Sequence, residues 1–168
     1  MKFFKLVFIT LFSLLYINNI AYSLELKPVI NLDVAKKMAD ACESERAKNK
    51  WNPINIAIVD SGADLVLFRR QDGAFLGSID IAIRKATSSA MIPRSTRKVG
   101  ELAYSDDGNL GPRPGVATVD FLVPFAGGLP IRTKTGYLIG AIGISGASSN
   151  QDEECAQAAI DSVKHLLK

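Results

Sequence analysis

The sequence predicts an α+β domain: one five-stranded antiparallel sheet flanked by helices, in the order α-β-β-α-α-β-β-β-α. Three observations carry this. Apolar residues recur at helical spacing near both ends of the chain and in its middle. Short β-branched runs fall into two groups between those stretches. Links within each group are only a few residues long, too short for the helical crossover a parallel pair requires.

Taken in order, residues 32–49 form the first helix, with Leu32, Ala35, Met38, Ala39 and Cys42 on one face and charged residues on the other. Asn31 or Asp33 caps its start, and Asn52-Pro53 ends the pattern. Residues 54–59 and 65–69 are two strands of a hairpin, joined through Asp60-Ser61-Gly62-Ala63. A helix follows from Gly77-Ser78 to about Met91, with Ser78 as its N-cap and Ile79, Ala82, Ile83 and Ala86 as its apolar stripe. Pro93 stops it, and residues 95–103 make a shorter helix. Residues 105–117 carry three glycines, two prolines and no periodicity, the mark of a long functional or mobile loop. Strands resume at 118–123, 129–133 and 137–145 as an antiparallel meander. The last helix starts near Ser149 or Asn150. Asp152, Glu153 and Glu154 sit in its first turn, where carboxylates favour the helix dipole. Cys155, Ala159, Val163 and Leu166 form its buried stripe.

Residues 1–23 read as a signal peptide. Lys2 and Lys5 precede an apolar run at 6–17, and Ala21-Tyr22-Ser23 presents small residues where a signal peptidase cuts. The run is too short for a bilayer core of about 30 Å. Cleavage after Ser23 leaves one domain, residues 24–168, and lowers the formal net charge from +3 to +1. A near-neutral domain makes no electrostatic case for nucleic acid. The expected location is the periplasm or the outside of the cell. There, Cys42 and Cys155 are either a disulfide joining the first and last helices or two buried thiols.

Several chemistries are excluded. A single histidine, His165, rules out a histidine-rich metal site. It also sits at the frayed end of the last helix, a poor place for a rigid general base. Gly143-Ile144-Ser145-Gly146-Ala147 misses the nucleophile-elbow pattern at Ala147. Its glycines instead thin a strand so that a helix or ligand approaches closely. Gly127-Gly128 exposes backbone N–H groups that suit an anionic or carbonyl group, or else forms a plain turn. Arg84-Lys85 either offers cations to carboxylates or lies on a solvated helix face.

Arg70-Gln71-Asp72-Gly73-Ala74, Gly77-Ser78, Lys85-Ala86-Thr87, Gly127-Gly128-Leu129-Pro130-Ile131 and Gly140-Ala141-Ile142-Gly143-Ile144-Ser145-Gly146 occur in this order, with Asp60-Ser61-Gly62 before them and Gln151-Asp152 after. The set resembles the GlcG/HbpS-like haem-binding family, which includes the PduO C-terminal-like domain, over about residues 30–166. The resemblance implies a profilin-like sheet with helices, a homo-oligomer and an exported binder of haem or another tetrapyrrole, active in haem uptake, sensing or degradation. Arg84 and Lys85 would then meet propionates, with Gly127 and Gly128 bordering the pocket. Asp64 stands where many relatives carry a histidine or another polar residue and offers no imidazole, so iron ligation falls to His165, Met91, Tyr104 or Tyr137. A hydroxyl such as Thr118 is a further ligand that spacing alone does not select. Two other functions fit the same residues: an enzyme or accessory protein acting on a small organic acid through Lys85 or Asp72, and a partner of a membrane sensor that uses the 105–117 loop.

Overall fold

The computed structural model describes residues 26–105 and 107–168. The proposed signal peptide lies outside the described residues. Helix α1 spans Leu32–Asn49, followed by strands β1 (Asn55–Asp60) and β2 (Leu65–Arg70). Helices α2 (Gly77–Met91) and α3 (Thr96–Ala103) come next, then a 3-10 turn at Pro114–Thr118. Strands β3 (Gly128–Arg132) and β4 (Leu138–Ser145) and helix α4 (Ser149–Val163) complete the order. The strands form one antiparallel sheet in the order β2-β1-β4-β3.

The sheet therefore has four strands, not five. The strand expected at 118–123 is replaced by the 3-10 turn and irregular chain. Pro114 fixes φ and removes a donor at the start of that segment. The ladder also has no place for a fifth strand beside β3. Ile144 N–H donates to Gly127 O, so the antiparallel alternation turns Gly128 and Pro130 outward. Thr96 Oγ1 takes the Gly128 N–H at 2.9 Å, and Pro130 has no N–H to give. The edge is blunted where an added strand would pair.

Side-chain size sorts the two faces of the sheet. Ile54, Ile56 and Ile58, with Ile142 and Ile144, point into the larger core beneath α1 and α4. Their neighbours Ala57, Val59 and Ala141 face α2, whose Ala82, Ala86 and Ala90 pack on them. The small residues bring α2 close to the sheet. A Cβ on Gly143 would stand 2.1 Å from Ala82 O and 2.4 Å from Ala86 N. Neither backbone atom can move without shifting the helix. Gly143→Ala is expected to cost about 2–3 kcal/mol by overpacking. Urea denaturation checks this, and a loss under about 0.5 kcal/mol would show that α2 can lift freely.

The caps explain the element boundaries. Asn31 Oδ1 accepts from Val34 N at 2.9 Å and starts α1. Ser148 and Gln151 form a capping box at α4. Ser78 does not cap α2: its hydroxyl is buried, donates to Phe75 O and accepts from Asn55 Nδ2, each at 2.6 Å. That ties the start of α2 to β1 instead. On α4, Leu167 rather than Leu166 turns inward, because the helix loosens after Val163. Cys42 and Cys155 are bonded, with their Cα atoms 4.8 Å apart, and clamp α1 to α4 over the larger core. Among the described residues no helix is long and apolar enough to cross a membrane.

Candidate functional site

The most unusual chemistry in the fold is a buried lysine. Lys85 sits on the sheet-facing side of α2, between Ala82 and Ala86, and its side chain is fully buried. Its Nζ donates to Asp152 Oδ2 and to Ile144 O, both at 2.8 Å. The Phe125 ring lies 4.9 Å from the same ammonium. Asp152, in the first turn of α4, accepts from Ala147 N through Oδ1 at 3.1 Å. Lys85 thus reaches from the α2 layer past the end of β4 to the helix on the opposite layer.

Gly127 leaves room for this crossing. Its φ is +122°, a conformation that favours glycine. A Cβ there would stand 2.5 Å from Lys85 Nζ and 2.9 Å from Asp152 Cβ. Burial pulls the Lys85 ammonium below its usual pKa and pushes the Asp152 carboxyl above its own, while the opposite charge of each partner works against both shifts. All of the strong acceptors around Nζ belong to the protein. The pair cross-links two layers.

The other residues singled out in the sequence are dispersed. Gly127 and Gly128 do meet Lys85, but as packing: a Cβ on Gly128 would stand 2.5 Å from Lys85 O. Arg84 points the other way from Lys85, half exposed, with Nε 2.6 Å from Asp80 Oδ2 and Nη1 donating to Asp120 O at 2.7 Å. Thr118 is exposed and donates to Gly115 O. His165 is exposed beyond the last turn of α4. Met91, Tyr104 and Tyr137 each show about half of their surface. Asp64 and Asp72 are exposed in turns. Among the described residues no three His, Cys, Asp or Glu side chains are placed to hold a metal ion.

The long loop is more ordered in its bonding than its composition suggests. Tyr104 and Leu110 form an isolated antiparallel bridge. Asp107 accepts from Ser105 Oγ and from Asn109, which hold its carboxyl down at about 2. Leu110, beside that bridge, is 72% exposed, an apolar side chain presented to solvent.

Asp152 and Phe125 are the functional neighbours that the sequence reading missed. Asp152 was placed as a helix-dipole carboxylate and within the family pattern, with no link to Lys85, 67 residues away. One signal was available: a lysine on the apolar stripe of α2, three residues after Ala82, has to be buried with a partner.

The family model described as haem degrading protein HbpS-like matches residues 30–161. An uncharacterised 15.0 kDa protein of Citrobacter freundii, encoded between dhaT and dhaS, is 32% identical over 137 residues, covering 82% of this chain and 94% of that one. Protein GlcG of Escherichia coli K12 is 30% identical over 119 residues, covering 71% and 83%. Among solved structures, Klebsiella pneumoniae ORFY superposes with a TM-score of 0.73 at 29% identity, covering 85% of this chain and 95% of that one. A double mutant of Streptomyces reticuli HbpS gives 0.71 at 27%, covering 82% and 89%. PduOC, solved as a complex with heme, gives 0.70 at 24% over 80% and 95%, and shares the fold. Matched over most of its length in sequence and in fold, the chain belongs to the HbpS-like family.

Proposed function

We propose that the protein is an exported binder of haem or a related tetrapyrrole. The observation that carries this reading is the family match over residues 30–161, whose description concerns haem degradation. The side chains that suit haem lie on open surface. Arg84 would meet a propionate, giving up Asp80 to do so. Met91, Tyr104 and His165 are donors that iron could reach from solvent. Lys85 does not fit this role, because its ammonium is buried against Asp152. These placements support a solvent-facing seat, closed by a second copy of the chain or another partner, in place of the enclosed glycine pocket. Export is supported by the signal pattern of residues 1–23 and by the Cys42–Cys155 bond, since disulfides persist in oxidising compartments. The loop after α3, where Leu110 presents an apolar side chain to solvent, suits contact with a membrane sensor.

The test is a haem titration of the purified, oxidised protein. The Soret band is expected to shift and saturate at a fixed haem-to-chain ratio, and Arg84→Gln to weaken binding several-fold. A shift that never saturates, or none, would overturn the reading.

A further inference from the structure

A second feature of the surface is independent of haem. Between the end of β3 and the C-terminal half of α4 lies a cavity of about 200 Å³. Its walls carry three cations, Arg132, Lys134 and Lys164, and one carboxylate, Asp161. Its floor is apolar: Leu167 is buried and Ile160 half-buried.

The cations are short of counter-charge. Arg132 is held in place by two backbone carbonyls, Gly136 O at 2.9 Å and Pro93 O at 3.1 Å, and by no carboxylate. Lys134 and Lys164 have no ion pair among the described residues. Gln157 Nε2 donates to Asp161 Oδ1 at 3.2 Å, so the lone carboxylate is engaged by a neutral amide. A lysine at a helix C-terminus complements the dipole, which accounts for Lys164. It does not account for Arg132 and Lys134, which come from β3 and from the link after it. Arg132 adds a charge that no carboxylate compensates beside the cavity, although both of its terminal nitrogens already donate to carbonyls.

We propose that this cavity binds a small carboxylate with a short apolar body. The head group would sit between Lys134 and Lys164, in the field of Arg132, and the body over Ile160 and Leu167. The volume equals about six or seven waters. It falls below the roughly 300 Å³ at which drug-sized ligands begin. A tetrapyrrole is too large for it, so this site and any haem seat are separate.

The experiment is an NMR titration of the oxidised protein with sodium butyrate, with butylamine as the charge-reversed control. Amide shifts at Lys134, Gln157 and Ile160 are expected to saturate with a Kd in the millimolar range, roughly 1–10 mM. Lys164→Gln, an exposed position with no ion pair among the described residues, should weaken butyrate about threefold to tenfold while the chain stays folded. Asp161→Asn removes the opposing charge and should tighten it by a similar factor. Shifts that do not saturate, equal shifts with butylamine, or an affinity unmoved by Asp161→Asn would each overturn the proposal.

Discussion

Replacing Cys42 and Cys155 together with alanine is expected to cost about 4–5 kcal/mol of unfolding free energy. The bond closes a loop of 113 residues, nearly the whole domain, and the unfolded chain loses the corresponding freedom. Chain-entropy scaling for a loop of about that length gives roughly 4.7 kcal/mol. At about 3 °C per kcal/mol for a domain of this size, the melting temperature should fall by on the order of 12–15 °C. The bond also pins α1 to α4 above the isoleucine-rich face, so reduction should loosen those helices before the α2 face. Paired denaturation curves of oxidised protein and the double variant measure the loss. A difference below about 1 kcal/mol would mean that core packing already restrains the two helices.

Asp152→Ala should produce the next largest effect, about 3–5 kcal/mol, because it strands the Lys85 ammonium in the interior. Lys85→Ala should cost a similar amount, leaving the Asp152 carboxylate without its cation and Phe125 without the ammonium it covers. The double variant Lys85→Met with Asp152→Leu is expected to recover most of that loss, since a packed apolar pair needs no compensation for desolvation. A double-mutant cycle in urea measures this coupling. If the double variant is as unstable as the sum of the singles, the two groups do not act as a pair. Haem titration of the double variant separates the roles further. Unchanged saturation would agree with a pair that only joins layers, and lost saturation in a folded variant would place Lys85 in the ligand seat after all.

Much of the fold was legible because it is written locally. The helix over 32–49 was marked by its apolar period and by Asn31, and the structure ends it at Asn49. The β1–β2 hairpin was announced by Asp60-Ser61-Gly62-Ala63, where Asp60 Oδ1 accepts from Gly62 N and Asp64 N. The fifth strand failed for a non-local reason. Residues 118–123 have strand-like side chains, but a strand exists only where an edge offers partners, and Pro130 and Thr96 have closed that edge. Ser78 failed similarly: its type suits a cap, yet Asn55, 23 residues earlier, takes the hydroxyl.

The site shows the same division. A close approach to the backbone was expected at Gly143, while Gly127 and Gly128 were read as a turn with exposed N–H groups; in the structure all three lack a Cβ where a neighbour comes close. What approaches could not be read from them. At Gly127 it is Lys85 and Asp152, and at Gly143 it is the backbone of α2. The helices, the hairpin, the antiparallel sheet and the family were readable along the chain, since periodicity, capping and ordered motifs are properties of neighbouring residues. Long-range packing sets the rest: Lys85 is locked to Asp152, the sheet stops at four strands, and Arg132, Lys134 and Lys164 line one cavity. Each of those depends on which distant groups meet at a few ångströms, where burial and charge acquire their energies.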